Sequence, residues 1–280
     1  MPGPFLRAAL AAIDTWGVDH AAAALVGPDG IVDTHGDPIR PFRWASITKL
    51  LTATAVLTAV DDGRIDLDDA APPPAPDGAT VRHLLAHASG LAFDGEMVHG
   101  RPGTRRIYSN TGFDVLGALL AARDGVPFET ALRRRVLDPL GMAATTLLER
   151  PSQGLHGTLD DLGRFARELL RPTLLAPATF AAATDVALPG LGGVLPGVGR
   201  YDPLDWGLGF ELHDGKAGHW MGTRNRPEAF GHFGGSGGFL WVDPALDHAL
   251  VCLTDRDYGP WALAAWPPFS DAVIDALDRP

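Results

Sequence analysis

The chain has 280 residues, 46% of them hydrophobic, a formal net charge of −11 and a single cysteine. That length can bury a large core. The acidic balance argues against nucleic acid or an anionic membrane surface as partner, and one cysteine, Cys252, cannot form an intrachain disulfide.

The first predicted element is a helix over Phe5 to Thr15. Its alanine-rich run is broken by Asp14 and lacks the pattern of a signal peptide, and no stretch reaches the roughly 18 apolar residues of a bilayer span. A cytoplasmic location is therefore expected. Ala21 to Val26 and Ile31 to Asp37 read as a hairpin around Gly27-Pro28-Asp29-Gly30. A helix opens near Ser46, and Leu50, Leu51 and Val56 suggest that it is buried. A helical middle region follows, with Pro- and Gly-rich links at Ala70 to Gly78 and Pro189 to Gly199. Within it, a helix over Thr111 to Ala122 has Ser109 or Asn110 as candidate N-cap. Strand patterns return at Gly207 to His213, Phe239 to Val242 and His248 to Thr254, the last placing Cys252 in a buried strand. A final helix spans about Trp261 to Leu277. Terminal strands around a helical middle predict an α+β fold: an antiparallel sheet flanked by helices, with an inserted all-helical lobe. One unit, 1–280, is expected, with an α/β lobe at about 1–60 and 205–280 and a helical lobe at about 61–204.

Three short patterns carry chemistry. Lysine occurs only twice, and Lys49 stands three residues after Ser46 at a helix start. That spacing places a hydroxyl and an amine on one face, the minimal arrangement for a lysine-assisted serine nucleophile. A bland helix start fits the same residues. Tyr108-Ser109-Asn110 places a phenol beside an amide. The phenol is a candidate general base if a cation lowers its pKa, and the amide can orient a lysine and a substrate carbonyl together. Gly231-His232-Phe233-Gly234-Gly235-Ser236-Gly237-Gly238 leads into a strand, and its glycines permit close approach of another backbone. A phosphate loop would lead into a helix instead.

The order Ser-x-x-Lys, Tyr-x-Asn, His-x-Gly resembles the serine β-lactamase and penicillin-binding-protein superfamily. The likeness is greatest to the branch holding class C β-lactamases, family VIII carboxylesterases and D-aminopeptidase-like or DD-peptidase-like hydrolases. Phe42 to Lys49, Asp62 to Asp69, Leu84 to Leu91, Pro102 to Thr104, Asp138 to Met142 and Trp206 to Phe210 extend it from about Ala22 to Leu253. The resemblance implies Ser46 as acylated nucleophile, Lys49 as its base and Tyr108 as second base. It implies Asn110, His232, Gly234 and Gly235 as substrate-binding positions, with the backbone N–H groups of Ser46 and Gly235 as oxyanion donors.

A lysine acts as a base only if its pKa is depressed, by burial and by a second cation. A charged His232 or Arg43 is the candidate cation. His87 is expected to be a structural turn residue packed near the site. Lys216-Ala217-Gly218 is a weak competitor for the third pattern. Asp160-Asp161 and Asp68-Asp69 are read as caps or solvated faces. The histidines show no metal-ligand spacing, so neither metal nor cofactor is expected. Pocket walls are expected from Leu91 to Gly100, Pro189 to Tyr201 and the Trp220 region.

The expected activity is cleavage of a small-molecule ester or amide, carboxylesterase-like, with Tyr108 carrying deacylation. Phe233 in the third pattern weakens the case for an anionic substrate, although Ser236 and the arginines can compensate. A β-lactamase or D-amino-acid peptidase, an acyltransferase on a small metabolite, and a non-catalytic binding protein on the same scaffold remain open alternatives. Nothing in the sequence fixes the oligomeric state.

Overall fold

The computed structural model describes residues 3–277. Its main sheet has six antiparallel strands in the order Gly30–Gly36, Ala21–Gly27, His248–Thr254, Phe239–Asp243, Phe230–Phe233 and Glu211–Leu212. The predicted hairpin and both C-terminal strands are borne out. The predicted Gly207 to His213 strand shrinks to Glu211–Leu212. Gly209 has φ +95°, and a Cβ there would lie 2.2 Å from the Ala53 Cβ, so the chain bends against a helix before pairing begins.

The sheet is buried on both faces. Ala22, Ala24, Val26, Leu240, Val242, Ala249, Val251 and Leu253 face one apolar cluster. Their alternating neighbours Ala23, Leu25, Phe239, Trp241, Leu250 and Cys252 face another. This is the period-two signature of a strand. The first face is covered by helices Thr48–Asp61 and Leu159–Leu170. The second is covered by Pro4–Leu10, its 3₁₀ continuation Ala11–Thr15, and Pro260–Leu277. No helix of the described residues is long and apolar enough to cross a membrane.

The middle of the chain is helical but not all-helical. Besides Val81–Leu85, Asn110–Asp124 and Pro177–Thr184, it contributes short strands to two three-stranded sheets. Helix Leu159–Leu170 returns to lie on the main sheet, where a Cβ at Gly163 would sit 2.9 Å from Ile31 Cδ1. The Thr48–Asp61 helix is buried nearly throughout, with Leu50, Leu51 and Val56 fully covered. A helix apolar on every side belongs in a core. It passes between the sheet and Asn110–Asp124, and it carries Lys49 with it.

Candidate active site

Ser46 lies in a 3₁₀ turn, Ala45–Ile47, that runs into helix Thr48–Asp61. Positions i and i+3 eclipse in a 3₁₀ turn, and the Lys49 Nζ lies 3.1 Å from Ser46 Oγ. Ala45 enters the turn at φ +45°, a left-handed value that non-glycine residues seldom adopt. Lys49 is fully buried, with Nζ also 2.6 Å from Asn110 Oδ1 and 2.8 Å from the Ser152 carbonyl oxygen. Burial away from water disfavours the ammonium, and Arg150 adds repulsion. Asp114 and Asp94 oppose the shift, and the balance brings Lys49 down to about 7. The second cation is therefore Arg150, not His232 or Arg43.

The contacts of Lys49 fit both of its protonation states. An ammonium has three N–H donors for three acceptors. A neutral amine keeps two, for Asn110 and Ser152, and turns its lone pair to the Ser46 hydroxyl. Ser46 then donates where it previously accepted.

Tyr108 and Asn110 arrive together because Ser109 caps helix Asn110–Asp124, its Oγ accepting from the Gly112 N–H at 3.0 Å. The helix-start reading of this segment is borne out by the Ser109 cap, and that cap is what brings Tyr108 and Asn110 to the same place. The Ser46 side chain acts on the Tyr108 phenol as a hydrogen-bond partner. Burial, the largest influence, pushes the phenol above its ordinary range, and the Ser46 hydrogen bond only partly offsets it. The expectation of a cation-lowered phenol is thus corrected. Lys49 lies 4.9 Å from the Tyr108 ring centroid, but lost hydration outweighs it, and Tyr108 is a neutral phenol.

His232 meets Tyr108 from the end of strand Phe230–Phe233. Its Nδ1 lies 2.6 Å from the Phe233 carbonyl oxygen, so Nδ1 carries the proton. Nε2, 3.2 Å from the Tyr108 hydroxyl, therefore accepts from the phenol. Burial first, then the nearby Lys49, brings His232 down to about 3, so at neutral pH it is uncharged. Its side chain is buried behind Tyr108 rather than forming the cavity wall. His87 has the structural place expected of it. At φ +53° it accepts from the Ser109 N–H at 3.1 Å and stacks on Tyr108 with 4.4 Å between centroids.

The glycine-rich segment is a hairpin turn. Gly234 N–H bonds the Gly238 carbonyl oxygen at 2.8 Å, and Gly237 takes φ +87°. Glu211–Leu212 pairs only with Phe230 and Gly231, which leaves the far end of that strand with an open edge. The turn presses on the nucleophile segment: a Cβ at Gly234 would lie 2.3 Å from the Trp44 carbonyl oxygen, and Ser236 Oγ donates to the Arg43 carbonyl at 2.7 Å. Among the described residues, the backbone N–H groups of Ser46 and Gly235 make no hydrogen bond. These free donors lie on two segments that the turn presses together, and they are candidate oxyanion donors.

A cavity of about 650 Å³ opens beside Tyr108. Phe93, Ile107, Val194 and Pro196 give it apolar walls, and Arg105, Arg200, His99 and Asp202 give it polar ones. The Leu91 to Gly100 and Pro189 to Tyr201 segments thus line it as expected. Trp220 does not: it is fully buried against Phe233, Phe239 and Trp266. Lys216 is also elsewhere, donating to the carbonyls of Leu212 and Asp205. Asp161 is structural, accepting from the Ala144 N–H and the Thr145 hydroxyl. Asp68 and Asp69 pair with Arg82 and Arg123. Among the described residues, no group of His, Cys, Asp or Glu could hold a metal ion. The sequence reading missed Ser152, Asp94, Asp114 and Arg150. Ser152, Asp94 and Arg150 depend on loop placement. Asp114, four residues after Asn110 on helix Asn110–Asp124, shows its role only once the Ser152 loop packs against it.

The model of the family described as Beta-lactamase matches residues 21–272. A crystal structure of a beta-lactamase (Mb2281c) from Mycobacterium bovis superposes with a TM-score of 0.92, at 50% identity over 95% of this chain and 98% of that one. EstCE1, described as a hydrolase with promiscuous acyltransferase activity, superposes at 0.79 with 17% identity over 96% and 97% of the two chains, a likeness of fold alone. Penicillin-binding protein 4 of Amycolatopsis lactamdurans is 27% identical over 76% of this chain and 72% of its own length. D-alanyl-D-alanine-carboxypeptidase/endopeptidase AmpH of Escherichia coli is 29% identical, but the match spans only 41% of that protein and 42% of this chain.

Proposed function

The chain belongs to the beta-lactamase family, and from that premise we propose that it is a serine hydrolase that acylates Ser46 and acts best on carboxylic esters with a short apolar acyl group. The observation that supports this most is the Lys49 amine, buried and brought to about 7, 3.1 Å from the Ser46 hydroxyl.

In the reactive state Lys49 is neutral. Ser46 Oγ attacks the ester carbonyl carbon while its proton moves to Lys49 Nζ. The Ser46 and Gly235 N–H groups receive the oxyanion. Collapse breaks the bond to the alkoxide. The leaving alkoxide recovers the proton that Lys49 accepted by a relay through the Tyr108 hydroxyl, which lines the cavity while Lys49 is sealed from it: the phenol gives up its own hydrogen as it accepts one from the Lys49 ammonium. Water then attacks the acyl-enzyme carbonyl while the Tyr108 hydroxyl takes its proton and passes its own to neutral Lys49. Collapse breaks the bond to Ser46 Oγ, which recovers a proton from the Lys49 ammonium as the carboxylic acid leaves. In the resting site His232 Nε2 accepts the phenol hydrogen; that bond gives way when Tyr108 donates to the alkoxide, and His232 remains neutral throughout.

Two features favour a neutral ester over an anionic substrate. The position after His232 is Phe233, whose ring packs on Tyr258 and Trp220 and offers no hydroxyl. The Ser236 hydroxyl is already engaged by the Arg43 carbonyl. The apolar side of the cavity is unusually exposed, Phe93 at 48% and Val194 at 52%, and suits an acyl chain. Each methylene seated there adds about 0.8 kcal/mol, so p-nitrophenyl butyrate should exceed the acetate in kcat/KM by about tenfold. Both esters should be turned over faster than nitrocefin. Faster turnover of nitrocefin, or indifference to acyl length, would overturn the ester reading.

A further inference from the structure

Lys49 has two acceptors besides Ser46, and each is itself held. The Asn110 Nδ2 donates to the Asp94 carboxylate, at 3.5 and 3.3 Å from its two oxygens. A carboxylate only accepts, so this contact fixes the amide with Oδ1 turned to Lys49. The Ser152 N–H donates to Asp114 Oδ1 at 3.1 Å while its carbonyl accepts from Lys49. Arg150 joins the two acids, one guanidinium nitrogen 3.0 Å from Asp94 Oδ1 and another 3.2 Å from Asp114 Oδ2. The contacts close into a circuit: Lys49, Asn110, Asp94, Arg150, Asp114, Ser152 and back to Lys49.

We propose that Arg150, through Asp94 and Asp114, is a positioning residue that locks both auxiliary acceptors of Lys49 and so reserves the third direction of the amine for Ser46. The inference rests on the reading of Lys49 as a working base. A surface ion pair of this exposure would ordinarily contribute little. Here one arm of each acid reaches the interior, so its geometry is transmitted to a buried amine.

The circuit also sets the charge around Lys49. The groups that face it are Asp114 and Asp94, which favour the ammonium, and Arg150, which opposes it. His87 and His232 face it uncharged, both pushed down by burial, and Tyr108 faces it as a phenol. Removing Arg150 leaves two acids uncompensated, and the amine should hold its proton to higher pH. Removing the Asp94 charge should do the reverse.

With only Lys49 and Lys216 in the chain, ¹³Cε-lysine NMR reads the titration directly, and Lys216→Arg assigns the two signals. In the wild type the Lys49 signal should titrate at about 7. Arg150→Gln should move the midpoint up, and Asp94→Asn should move it down, each by about half a pH unit or more. The rate of Ser46 labelling by a fluorophosphonate should shift its acid limb in the same two directions. Midpoints unmoved in both variants, or moved in the same direction, would overturn the proposal. If Arg150→Gln does not fold, the sign of the shift in the isosteric Asp94→Asn decides alone. The NMR measurement needs no substrate. Opposite shifts in a protein that hydrolyses nothing would sink the hydrolase reading and leave the circuit intact.

Discussion

Ser46→Ala is expected to abolish acyl-enzyme formation and lower ester turnover by about four to six orders of magnitude, with folding unchanged. The residue is half-buried at the end of a turn. Its hydroxyl has no packing duty that alanine lacks. Loss of the nucleophile from a unit that acts together leaves only what binding and oxyanion donors supply, which explains the size of the effect. Circular dichroism would confirm that the variant is folded, and single-turnover kinetics with p-nitrophenyl butyrate would measure the loss.

Lys49→Met should lower acylation by about a thousandfold, the middle of the range for a positioned general base. Its effect on stability is equally diagnostic. The folded-state pKa is about 7 against an ordinary 10.5. Between those values the unfolded chain binds more protons, so the wild type should gain stability as pH rises from about 7 to 10.5. Across that window the gain attributable to this one buried amine is on the order of 4 kcal/mol. The methionine variant lacks this gain. It also leaves Asn110 Oδ1 and the Ser152 carbonyl without their donor, at about 1–3 kcal/mol each. The variant can therefore be more or less stable at a given pH, but the wild-type advantage must grow with pH. Denaturant midpoints at pH 7 and pH 10 for both proteins give the difference. A parallel pH dependence in the two would remove Lys49 as the titrating group.

Much of this arrangement could be read from the residues in order. Ala21 to Val26 and His248 to Thr254 read as strands because their apolar residues run without a break, as they must in a sheet covered on both faces. The Ser46 and Lys49 spacing, the Tyr108 cap segment and the glycine turn were legible because each is local, and the fold joins them as the family resemblance implied. Electrostatics were not legible. The sequence offered a charged His232 or Arg43 as the second cation and a cation-lowered phenol at Tyr108, whereas burial leaves His232 uncharged and raises Tyr108. Desolvation depends on what packs around a group, which no neighbour in sequence reports. The Trp220 wall failed for a related reason: an aromatic residue beside a loop can face the cavity or the core, and here the core has Phe239 and Trp266 to receive it. Arg150 and Asp94 stayed invisible because they lie 56 positions apart on loops and meet only when both loops close over helix Thr48–Asp61.

The most direct test is where, and at what pH, a covalent label attaches. The protein would be incubated with a fluorophosphonate at pH values from 6 to 9 and mapped by peptide mass spectrometry. A single adduct on Ser46, forming faster as pH rises through about 7 and absent from Ser46→Ala, is the predicted result. An adduct on another residue, no adduct at any pH, or a Ser46 rate that is flat across this range would contradict the account.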